Sequence, residues 1–240
     1  MTLRHDFMLS AAVMMMAAPT FAQGGATKAE KPLFTIVAFG DSITLAHEQP
    51  ENLRWPFLLE QQLNKDFPDR AFQVINAGVG GNTSREGLKR IAADVLAHKP
   101  DLVLVEFGGN DATIEPDRHV TQDEFRANLE SIRKEINKLP GAKMALITFP
   151  PLIDAWHGWS KEPAFKAQGG VEATIETYRK VARDFAQTNG LVIANIDKTL
   201  STAIQTSSAD KYILNDGVHL RAQGNQVVAD EVCRAIRGIL

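Results

Sequence analysis

The sequence predicts a doubly wound α/β fold built on a central sheet of five parallel strands. Short apolar runs rich in Val and Ile alternate with longer segments whose apolar residues recur at helical spacing. Nearly continuous apolarity is typical of parallel strands that helices cover on both faces. Strand and helix patterns alternate throughout the chain, which favours right-handed crossovers within one open sheet.

Five segments are predicted as strands because each is short, apolar and followed by turn residues. They are residues 34–39, 72–76, 102–107, 144–149 and 191–196.

Helices are predicted between the strands from apolar residues three or four positions apart. The clearest repeats are Phe125-Leu129-Ile132-Ile136-Leu139, Val171-Ile175-Tyr178-Ala182-Phe185 and Val228-Val232-Ile236-Ile239. Capping-box spacing indicates two helix starts, one at Thr83 with Glu86 and one at Thr121 with Glu124. The Pro-Gly pair at 140–141 is expected to end the third helix.

Residues 1–22 are predicted to be a signal peptide. Arg4 precedes an apolar stretch, and Thr-Phe-Ala places small residues before a cut after Ala22. The stretch is short for a transmembrane helix, so we expect export to the periplasm or the medium without a stable membrane anchor. A short polar linker, 23–31, would lead into a single domain, 32–240.

Composition disfavours several classes of partner. The formal net charge is −3, and no basic run suggests nucleic acid or an anionic membrane. The single cysteine, Cys233, leaves no internal disulfide and is expected to be an inert, half-buried thiol in the last helix. Histidine, cysteine and acidic residues show no metal-ligand spacing. We therefore expect neither a metal nor another cofactor.

The segment Gly-Asp-Ser-Ile-Thr, residues 40–44, directly follows the first predicted strand. A serine at the start of a helix has free backbone N–H groups beside it, so Ser42 could attack a carbonyl and help to hold the resulting oxyanion. The alternative is that Asp41 and Ser42 only cap a helix.

Asp216 and His219 form a second motif, Asp-Gly-Val-His, near the C-terminal end. Across a turn, a carboxylate three residues away can reach the imidazole and fix its tautomer. His219 could then take a proton from a serine. The alternative is an ordinary turn before the last helix.

Two further loops follow the second and third predicted strands. Residues 76–83, Asn-Ala-Gly-Val-Gly-Gly-Asn-Thr, bring glycines to a helix start, where N–H groups face the crevice. Residues 108–111, Gly-Gly-Asn-Asp, place the carboxamide of Asn110 at a strand end, where it could donate to an oxyanion. Either loop alone could be a simple turn, and a phosphate-binding loop does not fit the glycine spacing of the first. In open α/β sheets, however, such strand ends meet at one edge.

These four motifs, in this order, resemble those of the SGNH, or GDSL-type, hydrolase family over nearly all of the chain after the signal peptide. The resemblance implies a flavodoxin-like three-layer α/β/α sandwich and metal-free ester hydrolysis. It implies that Ser42 is the nucleophile, with His219 and Asp216 completing a triad. Ser42, Gly81 and Asn110 would form the oxyanion hole.

The substrate is expected to be an ester of a small acyl group, with acetyl esters of carbohydrates as the leading hypothesis. Trp156, His157 and Trp159 lie in an irregular segment after the fourth strand, where an indole ring suits a sugar or an aromatic acyl group. These tryptophans could instead pack the loop onto the protein. Asp41, beside the serine, is a further candidate for substrate contact.

The sequence leaves two alternatives open. One is a broader arylesterase or a lysophospholipase-like esterase. Another is an acyltransferase that uses the same triad, with a sugar hydroxyl as acceptor in place of water. A non-catalytic binding module is disfavoured because such a module would be expected to lose Ser42 or His219.

Overall fold

One sheet of five parallel strands runs through the protein in the order β2-β1-β3-β4-β5. A computed structural model describes residues 31–240, so the predicted signal peptide and nearly all of the predicted linker lie outside the described residues. The strands are β1 (Leu33–Gly40), β2 (Ala71–Gly78), β3 (Leu102–Glu106), β4 (Lys143–Ile147) and β5 (Val192–Ala194).

Eight α-helices are described within residues 31–240. They are α1 (Ser42–Leu45), α2 (Trp55–Asp66), α3 (Ser84–Asp94), α4 (Gln122–Ile136), α5 (Pro163–Ala167), α6 (Val171–Asn189), α7 (Ile196–Gln205) and α8 (Ala222–Ile236). Short 3₁₀ turns add Glu51–Leu53, Leu96–His98, Asn110–Ala112, Gly158–Lys161, Ala209–Lys211 and Arg237–Ile239.

The helices pack as two layers. Helix α8 contacts α2 and α7, while α4 contacts α3 and α6. The sheet lies between these groups, and all of β3 and residues 36–40 of β1 are buried. The predicted α/β fold with five parallel strands is confirmed. No helix within residues 31–240 is long and apolar enough to cross a membrane.

Some predicted boundaries were wrong by a few residues. Helix α4 ends at Ile136, one turn before the Pro-Gly pair that was expected to end it. Strand β5 is only Val192–Ala194, because the apolar Ile196 at the end of the predicted strand already begins α7. Apolarity alone cannot separate a strand end from a buried helix start.

One of the two predicted capping boxes is only half formed. At α3, Thr83 and Glu86 exchange both expected hydrogen bonds. At α4, Thr121 accepts from the N–H of Glu124, but the Glu124 carboxylate accepts from Arg85 instead of returning to the cap. A guanidinium can donate two charge-assisted hydrogen bonds to a carboxylate, and here it takes the place of the local contact.

The carboxyl ends of three strands meet at one level of the sheet. Gly40, the last residue of β1, pairs with Gly78 of β2 and with Glu106 of β3. The connections that leave these three residues therefore start side by side, as is usual for a ligand crevice in an open α/β sheet. This register brings the motifs of the first three strands together.

Candidate active site

The turn after β1 presents Ser42 at the first position of α1. The Asp41 side chain caps this helix by accepting from the N–H of Ile43 at 2.9 Å. Ser42 Oγ lies 3.0 Å from His219 Nε2, although the two residues are far apart in the sequence. The short helix thus fixes the hydroxyl against the imidazole.

The Asp-Gly-Val-His turn holds the imidazole in place. Asp216 Oδ2 lies 2.7 Å from His219 Nδ1, and Asp216 Oδ1 accepts from the N–H groups of Val218 and His219 at 2.9 and 3.0 Å. Partial burial opposes ionisation of Asp216, but these hydrogen bonds outweigh it, so the pKa of this carboxyl lies below its usual value. An ionised Asp216 requires a hydrogen on His219 Nδ1, which leaves Nε2 free to accept from Ser42.

This turn is also braced by the loop after β4. Ile213 and Leu220 form an antiparallel bridge on either side of the turn. Gly217 has a φ of +76°, and a Cβ atom there would lie 2.6 Å from the carbonyl oxygen of Ile153 and 3.0 Å from the nitrogen of His157. The N–H of Ile153 in turn donates to the carbonyl of Gly217 at 2.9 Å. Glycine at this position therefore lets the loop after β4 dock against the histidine turn.

Three candidate donors surround the serine. The Asn110 amide donates to Asp41 Oδ2 at 3.0 Å and to the Asn82 carbonyl at 3.2 Å. Within residues 31–240, the backbone N–H groups of Ser42 and Gly81 donate no hydrogen bond. Gly81 has a φ of +78°, a conformation that favours glycine. Because both Asn110 amide hydrogens are already donated, an oxyanion would have to replace Asp41 or Asn82 as the acceptor of one of them.

Asp41 is fully buried, with no exposed surface. It therefore presents no free surface to a substrate here, and its contact with substrate stays a prediction. Its carboxylate instead holds the Ile43 N–H and the Asn110 amide. Burial is the main reason that its pKa is raised to about 6, against the hydrogen bonds that favour the ionised form.

A family model for GDSL-like lipases and acylhydrolases matches residues 38–227, a range that contains all four motifs. The chain belongs to the GDSL-like lipase/acylhydrolase family. This family member is a carboxylic ester hydrolase.

Relatives and solved structures support the same assignment. A GDSL esterase/lipase of Arabidopsis thaliana is 32% identical, over 84% of this chain and 85% of the relative. An isoamyl acetate-hydrolyzing esterase 1 homolog of Rattus norvegicus is 30% identical, over 80% of this chain and 76% of the relative. The crystal structure of a lipase/acylhydrolase from Enterococcus faecalis superposes with a TM-score of 0.67 at 28% identity, covering 86% of this chain and 97% of that one.

The cavity beside Ser42 and His219 has a volume of about 310 Å³. Its lining combines the serine, asparagine and histidine described above with apolar side chains and the loop after β4. The lining residues are Ser42, Gly109, Asn110, Phe149, Leu152, His157, Gly158, Trp159, Ile175, Asp216, Val218 and His219.

The aromatic residues of the loop after β4 divide into two groups. His157 and Trp159 line the cavity, whereas Trp156 does not, although it is exposed nearby. Trp159 stacks on the buried Phe165 with ring centroids 5.3 Å apart, so part of this ring serves to pack the loop. His157 Nδ1 accepts from the Trp159 N–H at 3.0 Å, and burial lowers the pKa of His157, both of which favour a neutral imidazole.

Sequence reasoning missed two acidic residues of this GDSL-family site. Glu48 lies in the loop before α2, with Oε1 3.6 Å from His219 Nε2 and 3.2 Å from His47 Nδ1. Glu106 is buried at the end of β3 and contacts the serine turn from below. A carboxylate inside an otherwise apolar strand was a visible signal, while the position of Glu48 depends on a loop conformation that the sequence does not reveal.

Among residues 31–240, histidine, cysteine and acidic side chains are nowhere grouped so that three or more could hold a metal ion. The Ser42 hydroxyl, with an imidazole and a carboxylate in line behind it, has the arrangement of an activated nucleophile. The N–H groups of Ser42 and Gly81 can donate hydrogen bonds to the negative charge that develops on an acyl oxygen.

Proposed function

We propose that this chain hydrolyses esters of small acyl groups through a triad of Ser42, His219 and Asp216. The observation that carries this proposal is the continuous line of hydrogen bonds from Asp216 through His219 to Ser42, at 2.7 and 3.0 Å. Both distances are within the range expected for a nucleophile, its base and an orienting carboxylate.

In the first step, Ser42 Oγ attacks the ester carbonyl carbon while its proton passes to His219 Nε2. Asp216 stabilises the imidazolium that forms. The carbonyl oxygen becomes an oxyanion, which would accept from the N–H groups of Ser42 and Gly81 and from the Asn110 amide. The bond to the alcohol then breaks, and the alcohol leaves with the proton from His219.

In the second step, a water molecule attacks the acyl-Ser42 ester. His219 takes a proton from this water and returns it to Ser42 Oγ as the acid leaves. The same oxyanion donors act again, and the enzyme regains its starting state.

The size and lining of the cavity support a small acyl group. At about 310 Å³ it is near the lower end of the range for ligand pockets, and Phe149, Leu152 and Ile175 give it an apolar wall. The Rattus norvegicus relative carries acetate-hydrolyzing in its name, which also favours acetyl esters. The exposed indole of Trp156, close to the cavity loop, suits a carbohydrate on the alcohol side.

A panel of nitrophenyl esters of rising acyl length tests the proposal. We expect the highest kcat/KM with acetyl or propionyl esters and no detectable turnover in Ser42→Ala. Ser207→Ala, which changes an exposed serine, serves as the matched control and should behave like the parent enzyme. Activity that survives in Ser42→Ala would overturn the mechanism, and an optimum at long chains would favour the lysophospholipase-like alternative.

The alcohol side and the acceptor need their own experiment. Release of free acetate from an O-acetylated sugar, without transfer to an added sugar, would support hydrolysis. A transferred acetyl group on the added sugar would identify an acyltransferase instead. We propose only small-molecule or glycan esters as partners and no nucleic acid, in line with the net charge of −3.

We also propose that the enzyme is exported and that its mature chain begins at Gln23. The basis is the signal-like pattern of the first 22 residues. Mass determination of the N-terminal peptide, from protein recovered outside the cytoplasm, tests this. Retention of the first residues on a cytoplasmic protein would contradict it.

A further inference from the structure

Beneath the serine turn lies a second carboxyl group. Glu106 ends β3 directly beside Gly40, the residue that ends β1. Only 1% of the Glu106 surface is exposed. A Cβ atom at Gly40 would lie 2.8 Å from Glu106 Oε2 and 2.2 Å from Thr44 Oγ1. Glycine at position 40 therefore leaves the space in which the Glu106 carboxyl reaches the turn that carries Ser42.

The contacts of Glu106 show no compensating cation. Its Oε2 accepts from Thr44 Oγ1 at 3.0 Å and from the Asp41 N–H at 3.4 Å. Its Oε1 is buried without a hydrogen-bond donor, and no basic side chain within residues 31–240 forms an ion pair with Glu106 or Asp41. Burying an ionised carboxylate with one oxygen that accepts no hydrogen bond and with no cation nearby costs much free energy, whereas burying the neutral acid costs far less.

Glu106 therefore lies beside a second buried carboxyl, that of Asp41, whose backbone N–H donates to Glu106 Oε2. Burial and the neighbouring Asp41 charge raise the pKa of Glu106 well above its ordinary value. The pKa of Asp41 is raised less, to about 6, mainly by burial. Like charges in such a dry site cannot both persist, so at neutral pH the pair keeps one proton and a single charge. We place the proton mainly on Glu106, because both Asp41 oxygens already accept hydrogen bonds whereas Glu106 Oε1 accepts none.

The other charged groups around the pair do not change this outcome. The Asp111 carboxyl also disfavours a charge on Asp41, and His219 favours it. Arg90, the cation on α3, donates to the Gly40 carbonyl at 2.7 Å and pairs with Asp94 at 2.9 Å.

Asp41 connects this pair to the active site. Asp41 Oδ2 accepts from the Asn110 amide at 3.0 Å, and Asp41 Oδ1 accepts from the Ile43 N–H at 2.9 Å. Contacts from Glu106 to Asp41 and from Asp41 to Asn110 therefore connect the core with the proposed oxyanion hole.

We propose that Glu106 is a positioning residue, a neutral carboxylic acid that shares one proton with Asp41 and so fixes the carboxylate that orients the Asn110 amide. This inference rests on the proposed function, since it concerns the oxyanion hole of that reaction. It assigns the glutamate before the Gly-Gly-Asn-Asp motif a task distinct from that of the triad.

Glu106→Gln and Glu106→Leu separate this task from simple packing. Glutamine keeps both a donor and an acceptor but cannot ionise, whereas leucine removes the hydrogen bond. We expect Glu106→Gln to keep kcat within about threefold at neutral pH and Glu106→Leu to lose about tenfold in kcat with little change in KM. Glu231→Gln, at a buried glutamate of α8, is the matched control and should match the parent.

The dependence of kcat on pH distinguishes this positioning role from a purely structural one. As the pH rises above neutral, the parent should lose activity reversibly while the shared proton leaves, because two charges then repel beneath the serine turn. Glu106→Gln should lack this fall. An equal fall in Glu106→Gln, or no fall in the parent, would overturn the proposal. This comparison holds even if Glu106→Leu fails to fold.

A double-mutant cycle with Asn110→Ala tests the route of the effect. If Glu106 acts through Asn110, Glu106→Leu should cost less than about threefold once Asn110 is gone. The same tenfold loss in both backgrounds would contradict the proposal. The parent and Ser42→Ala, measured beside these variants, report on the esterase mechanism separately. An active parent with an inactive Ser42→Ala leaves the mechanism intact even where the Glu106 inference fails.

Discussion

Replacing Asn110 with alanine removes the side-chain donor of the proposed oxyanion hole. In the resting enzyme the two hydrogens of its amide are held by Asp41 Oδ2 at 3.0 Å and by the Asn82 carbonyl at 3.2 Å. The bond to the Asp41 carboxylate is charge-assisted and anchors the side chain. The bond to the neutral Asn82 carbonyl is the weaker one, so we expect this hydrogen to turn toward the oxyanion in the transition state.

The size of the effect follows from that exchange. Removing an oxyanion donor from another serine hydrolase costs about 2.7 to 4 kcal/mol in the transition state. Here the hydrogen must first leave Asn82, which offsets about 1 kcal/mol, the usual net value of a neutral hydrogen bond. The remaining loss of about 2 to 3 kcal/mol corresponds to a drop of roughly 30- to 150-fold in kcat. KM should change little, because the interaction is made only in the transition state.

Steady-state kinetics with nitrophenyl acetate measures both constants. Asn137→Ala, at an exposed asparagine at the end of α4, is the matched control and should retain parental values. Turnover of Asn110→Ala within about threefold of the parent would refute the role of this amide. A loss confined to KM would show that Asn110 binds substrate without stabilising the transition state.

Three further predictions concern the surrounding carboxyls. Asp216→Asn should lower kcat by about 10²- to 10⁴-fold through the wrong imidazole tautomer, and a nitrophenyl acetate assay showing parental turnover would remove Asp216 from the triad. Burial raises the pKa of Asp111 in the folded state from 3.8 to about 7, so between these pH values the folded protein binds a proton that the unfolded chain has lost. The free energy of unfolding should therefore fall by roughly 4 kcal/mol as the pH rises through this range. Urea titrations should show a weaker dependence of unfolding free energy on pH in Asp111→Asn, and an unchanged dependence would contradict the assignment. Glu48→Gln should raise kcat/KM for an anionic ester about tenfold relative to a neutral ester. The Glu48 carboxylate and an ester anion about 6 Å away, at an effective dielectric constant of about 40, repel by roughly 1.4 kcal/mol. Equal selectivity in the parent and in Glu48→Gln would show that Glu48 does not face the substrate.

Much of the fold and of the candidate site could be predicted because the signals are local. The strands were predicted from continuous apolar runs, and the carboxyl ends of parallel strands necessarily share an edge. Asp216 and His219 lie three residues apart, so one turn determines their contact. The approach of Ser42 to His219 needed the whole sheet, yet it followed from the order of the strands.

The parts that were missed depend on contacts between distant residues. The carboxylate of Glu124 left the local cap for Arg85, 39 positions away in the sequence. Asp41, beside the serine, was a candidate for substrate contact, but its buried side chain accepts from the Asn110 amide. Glu106 sat within a predicted strand, and only the register of β1 and β3 shows that it lies under the serine turn.

Covalent labelling with a fluorophosphonate, followed by peptide mapping by mass spectrometry, tests directly whether Ser42 is the nucleophile. We expect one adduct per chain, located on Ser42 and formed in step with the loss of esterase activity. Labelling should be absent in Ser42→Ala and strongly slowed in His219→Ala, because the imidazole no longer takes the serine proton. An enzyme that loses activity with the label on another residue, or that hydrolyses esters while Ser42 stays unlabelled, would contradict the assignment of Ser42 as the nucleophile.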